Sequence, residues 1–128
     1  MRVIYRKLPY PSSGQHRHGR NKITGRTFLT KSAVEYYKLV KKMVIEQNQG
    51  QFLKSDRLRV VIKFWQGDKR KRDIDNMIKT LLDALQNAGA IIDDGQIDQM
   101  IIERVWEKLT HYVDVSFETI GADDHLIN

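Results

Sequence analysis

The sequence predicts an α+β fold, in which a mixed β-sheet and two main helices packed on one face of it form an α/β two-layer structure. Two observations lead to this class. Segments that alternate apolar and polar residues, as half-buried strands do, are interleaved with segments of helical periodicity, in the order β-α-β-α-β-β. The length of 128 residues also suits one domain, so we expect a single domain over 1–128.

The first half of the chain contains the first three predicted elements. Residues 2–8 alternate and predict a strand, and the polar residues 11–26 are expected to form a long loop. A helix is expected to begin near Ser32, because Ser32 and Glu35 have the spacing of a capping box. Residues 58–65 alternate again and predict the second strand.

The second half begins with the clearest helical pattern in the chain. Apolar residues recur at helical spacing through 74–85, and Gly89 is a typical stop signal. Residues 100–106 and 112–117 are predicted strands that we expect to pair as a closing hairpin. Both tryptophans are expected to be core or partly buried strand residues: Trp65 and Trp106.

Charge divides the chain into two unequal halves. Residues 1–72 carry 19 Lys and Arg against four acidic residues, whereas residues 73–128 carry three against 12. A basic segment of this kind attracts polyanions through phosphate contacts, so we expect nucleic-acid binding. The bases expected to contact DNA are Lys69, Arg70, Lys71 and Arg72, with Arg17 and Arg20 in the predicted loop, although that loop could equally be a solvated linker.

The composition excludes cysteine-based sites and argues against a membrane span. The chain has no cysteine, so disulfides and thiolate metal sites are excluded. No segment approaches the ~18 consecutive apolar residues of a membrane span, and the first residues lack the apolar stretch of a signal peptide. We therefore expect a soluble cytoplasmic protein.

Carboxylates are concentrated around the second predicted helix. Asp73 and Asp75 stand at its start, directly after the four bases, and Asp93-Asp94 follow it. Helix capping explains one aspartate at a helix start, and turn formation explains Asp-Asp-Gly, so each acid has a purely structural interpretation. Lys79 lies one helical turn after Asp75 and shares its face. Whether Asp94 returns to the helix start depends on how the chain turns, which sequence alone leaves open.

If these carboxylates converge, they require a compensating cation. Mg²⁺, or Mn²⁺ in its place, is the expected ion, because hard divalent ions prefer carboxylate oxygens. Zinc is disfavoured, because there are no thiols and no suitable group of histidines. Such a site could cut phosphodiesters, with Lys79 offsetting charge on the transition state.

A set of short motifs surrounds the second predicted helix: Arg72-Asp73-Ile74-Asp75-Asn76, Lys79, Asp83-Ala84-Leu85, Gly89 and Asp93-Asp94. With these motifs, and more weakly with Leu8-Pro9-Tyr10-Pro11-Ser12, the chain resembles the RusA family of Holliday junction resolvases. Here Ser12-Ser13-Gly14-Gln15 follows Pro11, without the second proline and the asparagine usual in the family. This departure lies outside the segment that carries the carboxylates.

The resemblance implies an activity and a role for each matching residue. Asp73, Asp75 and Asp94 match the metal-holding aspartates, and Lys79 matches a lysine implicated in cleavage. Asn76 and Arg72 match positions that support the site or touch DNA. Family members are homodimers that nick four-way DNA junctions symmetrically with Mg²⁺, which predicts a homodimer here and no small-molecule cofactor. Two cuts related by a two-fold axis also require two copies of a chain that has one site.

Two other interpretations remain open at this point. The same site could serve a nuclease of broader substrate range, cutting flaps or replication forks. Alternatively, the chain could be a basic DNA-binding module without activity, whose aspartates are helix caps.

Overall fold

A mixed four-stranded sheet lies at the centre of the protein, with two helices on one face of it. The computed structural model describes residues 1–11, 18–47 and 49–121. The elements are β1 (Arg2–Pro9), β2 (His18–Arg20), β3 (Thr27–Leu29), α1 (Lys31–Gln47), β4 (Leu58–Gln66), α2 (Ile74–Asn87), β5 (Ile97–Trp106) and β6 (His111–Thr119). The predicted fold class and the order of the main elements are confirmed.

The strands of the large sheet lie in the order β1-β6-β4-β5. β5 is parallel to β4, whereas β6 is antiparallel to both β4 and β1. The expectation that the last two strands form a hairpin is wrong, because β4 lies between them. Their connection crosses the end of β4, where the backbone N–H of Glu107 donates to the carbonyl oxygen of Gln66 at 3.0 Å. A Cβ on Gly67 would lie 2.5 Å from the Thr110 carbonyl oxygen, so the crossing requires glycine there.

The core lies between the sheet and the helices. Alternate residues of β4 are fully buried, and those between them, such as Arg59 and Lys63, face the opposite side and remain partly or fully exposed. α2 buries the stripe that its periodicity predicts. The helical residues that pack on the buried face of the sheet include Val40, Val44, Met77, Leu81 and Leu85.

Both helices begin close to where the sequence predicts, but the residue that caps α1 is not the predicted one. α1 begins at Lys31, and Thr30 caps it by accepting the N–H of Ala33 on its hydroxyl oxygen at 3.4 Å. The predicted cap at Ser32 is therefore wrong, because Ser32 already lies within the helix. α2 ends where predicted, since Gly89 adopts a φ of +82°. Within the described ranges, neither helix is long and apolar enough to cross a membrane.

The predicted loop over 11–26 contains part of a small hairpin. β2 and β3 form a separate two-stranded antiparallel sheet. The Asn21 side chain closes the connection by accepting the N–H groups of Ile23 and Thr24 at 2.8 and 3.0 Å, and Gly25 has a φ of +72°. The prediction of an irregular loop is thus wrong for the residues of β2, while residues 12–17, including Arg17, lie outside the described residues.

Two glutamine side chains cover the outer edge of β1. The N–H of Ile4 donates to Gln49 Oε1 at 2.8 Å, and Gln49 Nε2 donates back to the Ile4 carbonyl. Gln47 makes the same two bonds with Arg6, at 3.0 and 3.2 Å. Each side-chain amide therefore makes the paired bonds that another strand would make, which closes this edge to strand addition.

Candidate active site

Two carboxylates lie at the N-terminal end of α2, where the sequence places them. Asp73 is the N-cap: its side chain accepts the N–H of Asp75 at 3.0 Å. The Asn76 amide donates to the other oxygen of Asp73 at 3.1 Å, so Asn76 fixes the orientation of this carboxylate. Both aspartates remain exposed. Capping explains Asp73 but not Asp75, which lies exposed in the first turn of α2.

The segment that precedes Asp73 is a basic loop, residues 67–72, held from beneath by a buried glutamine. Gln66 is fully buried, and its Nε2 donates to the carbonyl oxygens of Asp68 and Arg70 at 2.9 and 3.0 Å. The hydroxyl of Tyr10 donates to Gln66 Oε1. Burial raises the pKa of Tyr10, which keeps this donor protonated. Arg104 Nη2 adds a bond to the Arg72 carbonyl at 3.0 Å.

The basic loop also has an internal ion pair. Arg72 Nη1 lies 2.8 Å from Asp68 Oδ1, and the guanidinium lies over the ring of Tyr10 at 5.4 Å. The hydrogen bond from Arg72, followed by the backbone N–H of Arg70, lowers the pKa of Asp68 from 3.8 to about 2. The other three bases of the predicted tetrad are exposed: Lys69, Arg70 and Lys71. The loop thus presents cations to solvent from a fixed backbone.

An open cleft of about 530 Å³ lies between the basic loop and the end of β5. Its lining residues are Lys69, Arg70, Lys71, Arg72, Asp73, Arg104 and Trp106. One wall of this cleft therefore carries the capping carboxylate of α2, and most of the rest is cationic. A phosphate backbone is the polyanion that such a lining fits.

Asp94 lies at the opposite end of α2 from the other two aspartates. Its backbone N–H donates to Gln86 Oε1 at 3.2 Å. Gln86 comes 11 residues after Asp75 within α2, a distance of about 16 Å along the helix axis. A hydrogen bond with Asp93 raises the pKa of Asp94, and burial and the charges of Asp93 and Asp83 add to that shift. The turn after α2 therefore does not return Asp94 to the helix start.

One chain thus brings together only part of the predicted metal site. Among residues 1–11, 18–47 and 49–121, no group of three or more acidic or histidine side chains could hold a metal ion. The oxygen donors themselves suit Mg²⁺. Lys79 is exposed on α2 one turn beyond Asp75, and Arg20 ends β2 in the separate small sheet.

Three residues that support the site were not predicted from the sequence: Tyr10, Gln66 and Arg104. Gln66 left a signal, because it continues the inward alternation of β4 with a polar side chain at a core position. Arg104 is one of only three bases after residue 72. Tyr10 belongs to the Leu8-Pro9-Tyr10-Pro11-Ser12 segment of the resemblance, which gave it no role; its ring stacks on His111, with centroids 4.4 Å apart.

Comparison with known proteins identifies the family of the chain. The family model described as endodeoxyribonuclease RusA matches residues 9–116. A relative in Enterobacteria phage HK97, crossover junction endodeoxyribonuclease rusA, is 34% identical over 100 residues, which cover 76% of this chain and 78% of the relative. A protein of the same name in Enterobacteria phage 82 is 29% identical with the same coverage. The resemblance inferred from the motif residues is confirmed, and the chain belongs to the RusA family of endodeoxyribonucleases.

Proposed function

We propose that this chain resolves four-way DNA junctions by paired, symmetric nicks. The observation that carries the proposal is the meeting of the basic loop with the exposed Asp73 and Asp75 at one end of α2. The two relatives named as crossover junction endodeoxyribonucleases support the same substrate. We place this activity in the cytoplasm, since a chain without cysteine suits a reducing compartment.

The metal in this proposal is Mg²⁺, with Mn²⁺ as a substitute, held by Asp73, Asp75 and Asp94. When bound, the ion supplies positive charge that stabilises the phosphate undergoing cleavage. Asn76 orients Asp73 through the amide hydrogen bond. Lys79, one turn beyond Asp75, offsets charge on the leaving oxygen. Lys69, Arg70, Lys71 and Arg72, with Arg17 and Arg20, contact the DNA backbone.

Asp75 and Gln86, the residue that binds Asp94, are separated by about 16 Å along α2. We therefore propose that each metal site is shared between two copies. Asp73 and Asp75 of one copy would meet Asp94 of the other. A two-fold axis that sets the two α2 helices antiparallel places the N-terminal end of each helix beside the C-terminal end of its mate. One such axis creates two equivalent sites, which is the number that paired nicks require.

Cleavage of three DNAs tests the substrate and the carboxylates. Wild type, Asp75→Asn and Glu46→Gln are compared on a four-way junction, a linear duplex and a flap, with Mg²⁺ at fixed salt. Glu46→Gln removes the same charge from an exposed position on α1 and serves as the matched control. We expect Asp75→Asn to lose junction cutting by at least about a hundredfold and to retain binding, with Glu46→Gln unchanged.

Each other outcome of this assay contradicts a stated part of the proposal. Equal cutting of the three DNAs by wild type indicates a nuclease of broader range. Binding without cutting by wild type indicates a DNA-binding module. Normal cutting by Asp75→Asn removes this residue from the site.

A mixing experiment tests the shared site. Asp75→Asn and Asp94→Asn are each expected to be inactive alone. In a mixed dimer, one site carries both substitutions and the other carries neither, so nicking returns when the two proteins are combined. If each chain held a complete site, every site in the mixture would contain one substitution, and no nicking would return.

A further inference from the structure

Trp106 occupies an unusual place for a large aromatic side chain. It is the last residue of β5 and is the register partner of Gln66 on β4. Trp106 therefore lies on the same face of the sheet as Gln66, whose side chain holds the basic loop. Its side chain lines the cationic cleft beside Asp73 and is 47% exposed. The sequence-based expectation of a core or partly buried residue does not account for an indole so open to solvent.

The other tryptophan of the chain provides the contrast. Trp65 is partly buried on the opposite face of the sheet, as expected, and its indole N–H donates to Asp114 at 3.0 Å. Lys63 lies over its ring at 4.4 Å. Trp65 therefore has partners within its own sheet, on a face remote from the cleft.

Arg104 adds a second flat group to the cleft. Its guanidinium carbon lies 5.6 Å from the centroid of the Trp106 ring. Its Nη2 donates to the Arg72 carbonyl, but its Nε is buried without a hydrogen-bond partner in the described part of the chain. Buried donors are normally paired, so this one is an exception among the described residues.

An unstacked nucleobase matches these features. Aromatic rings and arginine planes stack on bases that have left a helix, and cations along a groove hold the flanking phosphates. Bases within an intact duplex are stacked on both sides and cannot enter such a cleft, whereas bases at a branch point are less constrained.

We propose that Trp106 and Arg104 form a stacking site for one base unpaired at the branch point of the DNA, next to the phosphate to be cut. This inference rests on the proposed junction cleavage at Asp73 and Asp75. It adds a contact that distinguishes a branch from a continuous duplex, which phosphate contacts alone do not.

Intrinsic fluorescence tests the contact directly, because the chain has two tryptophans. In Trp65→Phe, Trp106 is the sole tryptophan, and its emission is recorded with a four-way junction and with a duplex of equal length. Ca²⁺ replaces Mg²⁺ so that the DNA stays intact. We expect the junction to quench the emission and the duplex to leave it nearly unchanged. Trp106→Phe, which retains Trp65 on the far face, is the matched control and should respond to neither DNA.

Binding assays supply the second measurement. Trp106→Ala should weaken junction binding about tenfold, the size of one base–aromatic stacking contact, and leave duplex binding unchanged. Trp106→Phe should restore most of the loss, because a phenyl ring still stacks. Circular dichroism checks that the variants fold. If Trp106→Ala does not fold, the fluorescence experiment still tests the proposal, because Trp65→Phe leaves residue 106 unchanged.

The failures of the two proposals are distinguishable. If Trp106 emission is the same with and without the junction while the junction is cut normally, the stacking site is refuted and the proposed function stands. Equal quenching by junction and duplex also refutes it. Emission that changes with protein concentration in the absence of DNA would place Trp106 at a contact between copies instead. Wild type that cuts no junction refutes the proposed function itself.

Discussion

Asp68 is an anion among the cations of the basic loop, and its hydrogen bonds with Arg72 and Arg70 order the loop backbone. Its pKa is about 2 in the folded protein, against an ordinary value of 3.8. Because the folded-state pKa is lowered, the pair contributes fully above pH 3.8 and is lost as the pH falls through about 2. A carboxyl carbon NMR titration should therefore give a midpoint near 2 for Asp68, and Arg72→Gln should return it towards 3.8. Midpoints near the ordinary value in both proteins would contradict the ion pair.

Gln66 links the core to the basic loop. Gln66→Leu keeps the volume but removes the acceptor of Tyr10 and the donors to two loop carbonyls. We expect the free energy of unfolding to fall by about 2 kcal/mol, measured by urea denaturation, and junction binding to weaken several-fold. Val44→Ala, a core truncation in α1, is a suitable control, because it lowers stability without touching the loop. Equal binding by the two variants would mean that Gln66 matters for stability alone.

The sequence predicted the acidic residues of the candidate site and Asn76, which orients one of them, but not the side chains that hold the basic loop in place. Asp73, Asp75 and Lys79 follow from a periodic helix with a clear start. Gln66 and Arg104 could not be assigned, because their partners are carbonyl groups of a loop whose path depends on the tertiary fold. The separation of Asp94 from Asp75 was undecided for the same reason.

Among the elements, β1 is protected in a way that the sequence did not predict. Its outer edge is covered by side chains instead of a strand. In the double variant Gln47→Ala, Gln49→Ala, the N–H groups of Ile4 and Arg6 lose their acceptors. Their hydrogen exchange should accelerate by at least about tenfold, because local opening no longer breaks a bond. Exchange at Val3, whose side chain is buried in the core, provides the internal control. Unchanged exchange at Ile4 and Arg6 would show that the glutamines do not protect the edge.

Element identities were easier to predict than element pairings. α2 and β4 carry periodicities that depend only on which face is buried. The pairing of β5 and β6 with β4 was missed, because alternation shows that a segment is a strand but not which strand lies beside it. Thr30 and Ser32 are both good capping residues, and the choice between them depends on how the chain leaves β3.

For the whole molecule, the uneven charge predicts a strong salt dependence of DNA binding. Replacing both Lys69 and Lys71 by Gln should reduce the slope of log K against log salt by about 1.8, or about 0.9 for each lost phosphate contact. Lys38→Gln with Lys42→Gln removes the same charge from exposed positions on α1 and should change the slope little. Fluorescence anisotropy over a salt series measures both. An equal reduction in the two double variants would show a diffuse attraction without a defined contact surface.

The order of the large sheet has a consequence for how the chain folds during synthesis. β1 is made first, yet its strand partner in the sheet is β6, and the Met1 amino group donates to the Thr119 hydroxyl at 2.8 Å. β4, α2 and β5 can assemble as a unit once residue 106 has emerged from the ribosome, but β1 cannot join them until residue 119 has followed. Contacts of such long sequence separation slow folding and leave intermediates with open strand edges. The glutamines that cover the outer edge of β1 in the finished protein leave its inner edge open until β6 is made, and the edge of β4 that pairs with β6 stays open for the same period. Open strand edges of this kind are what chaperones protect in a nascent chain.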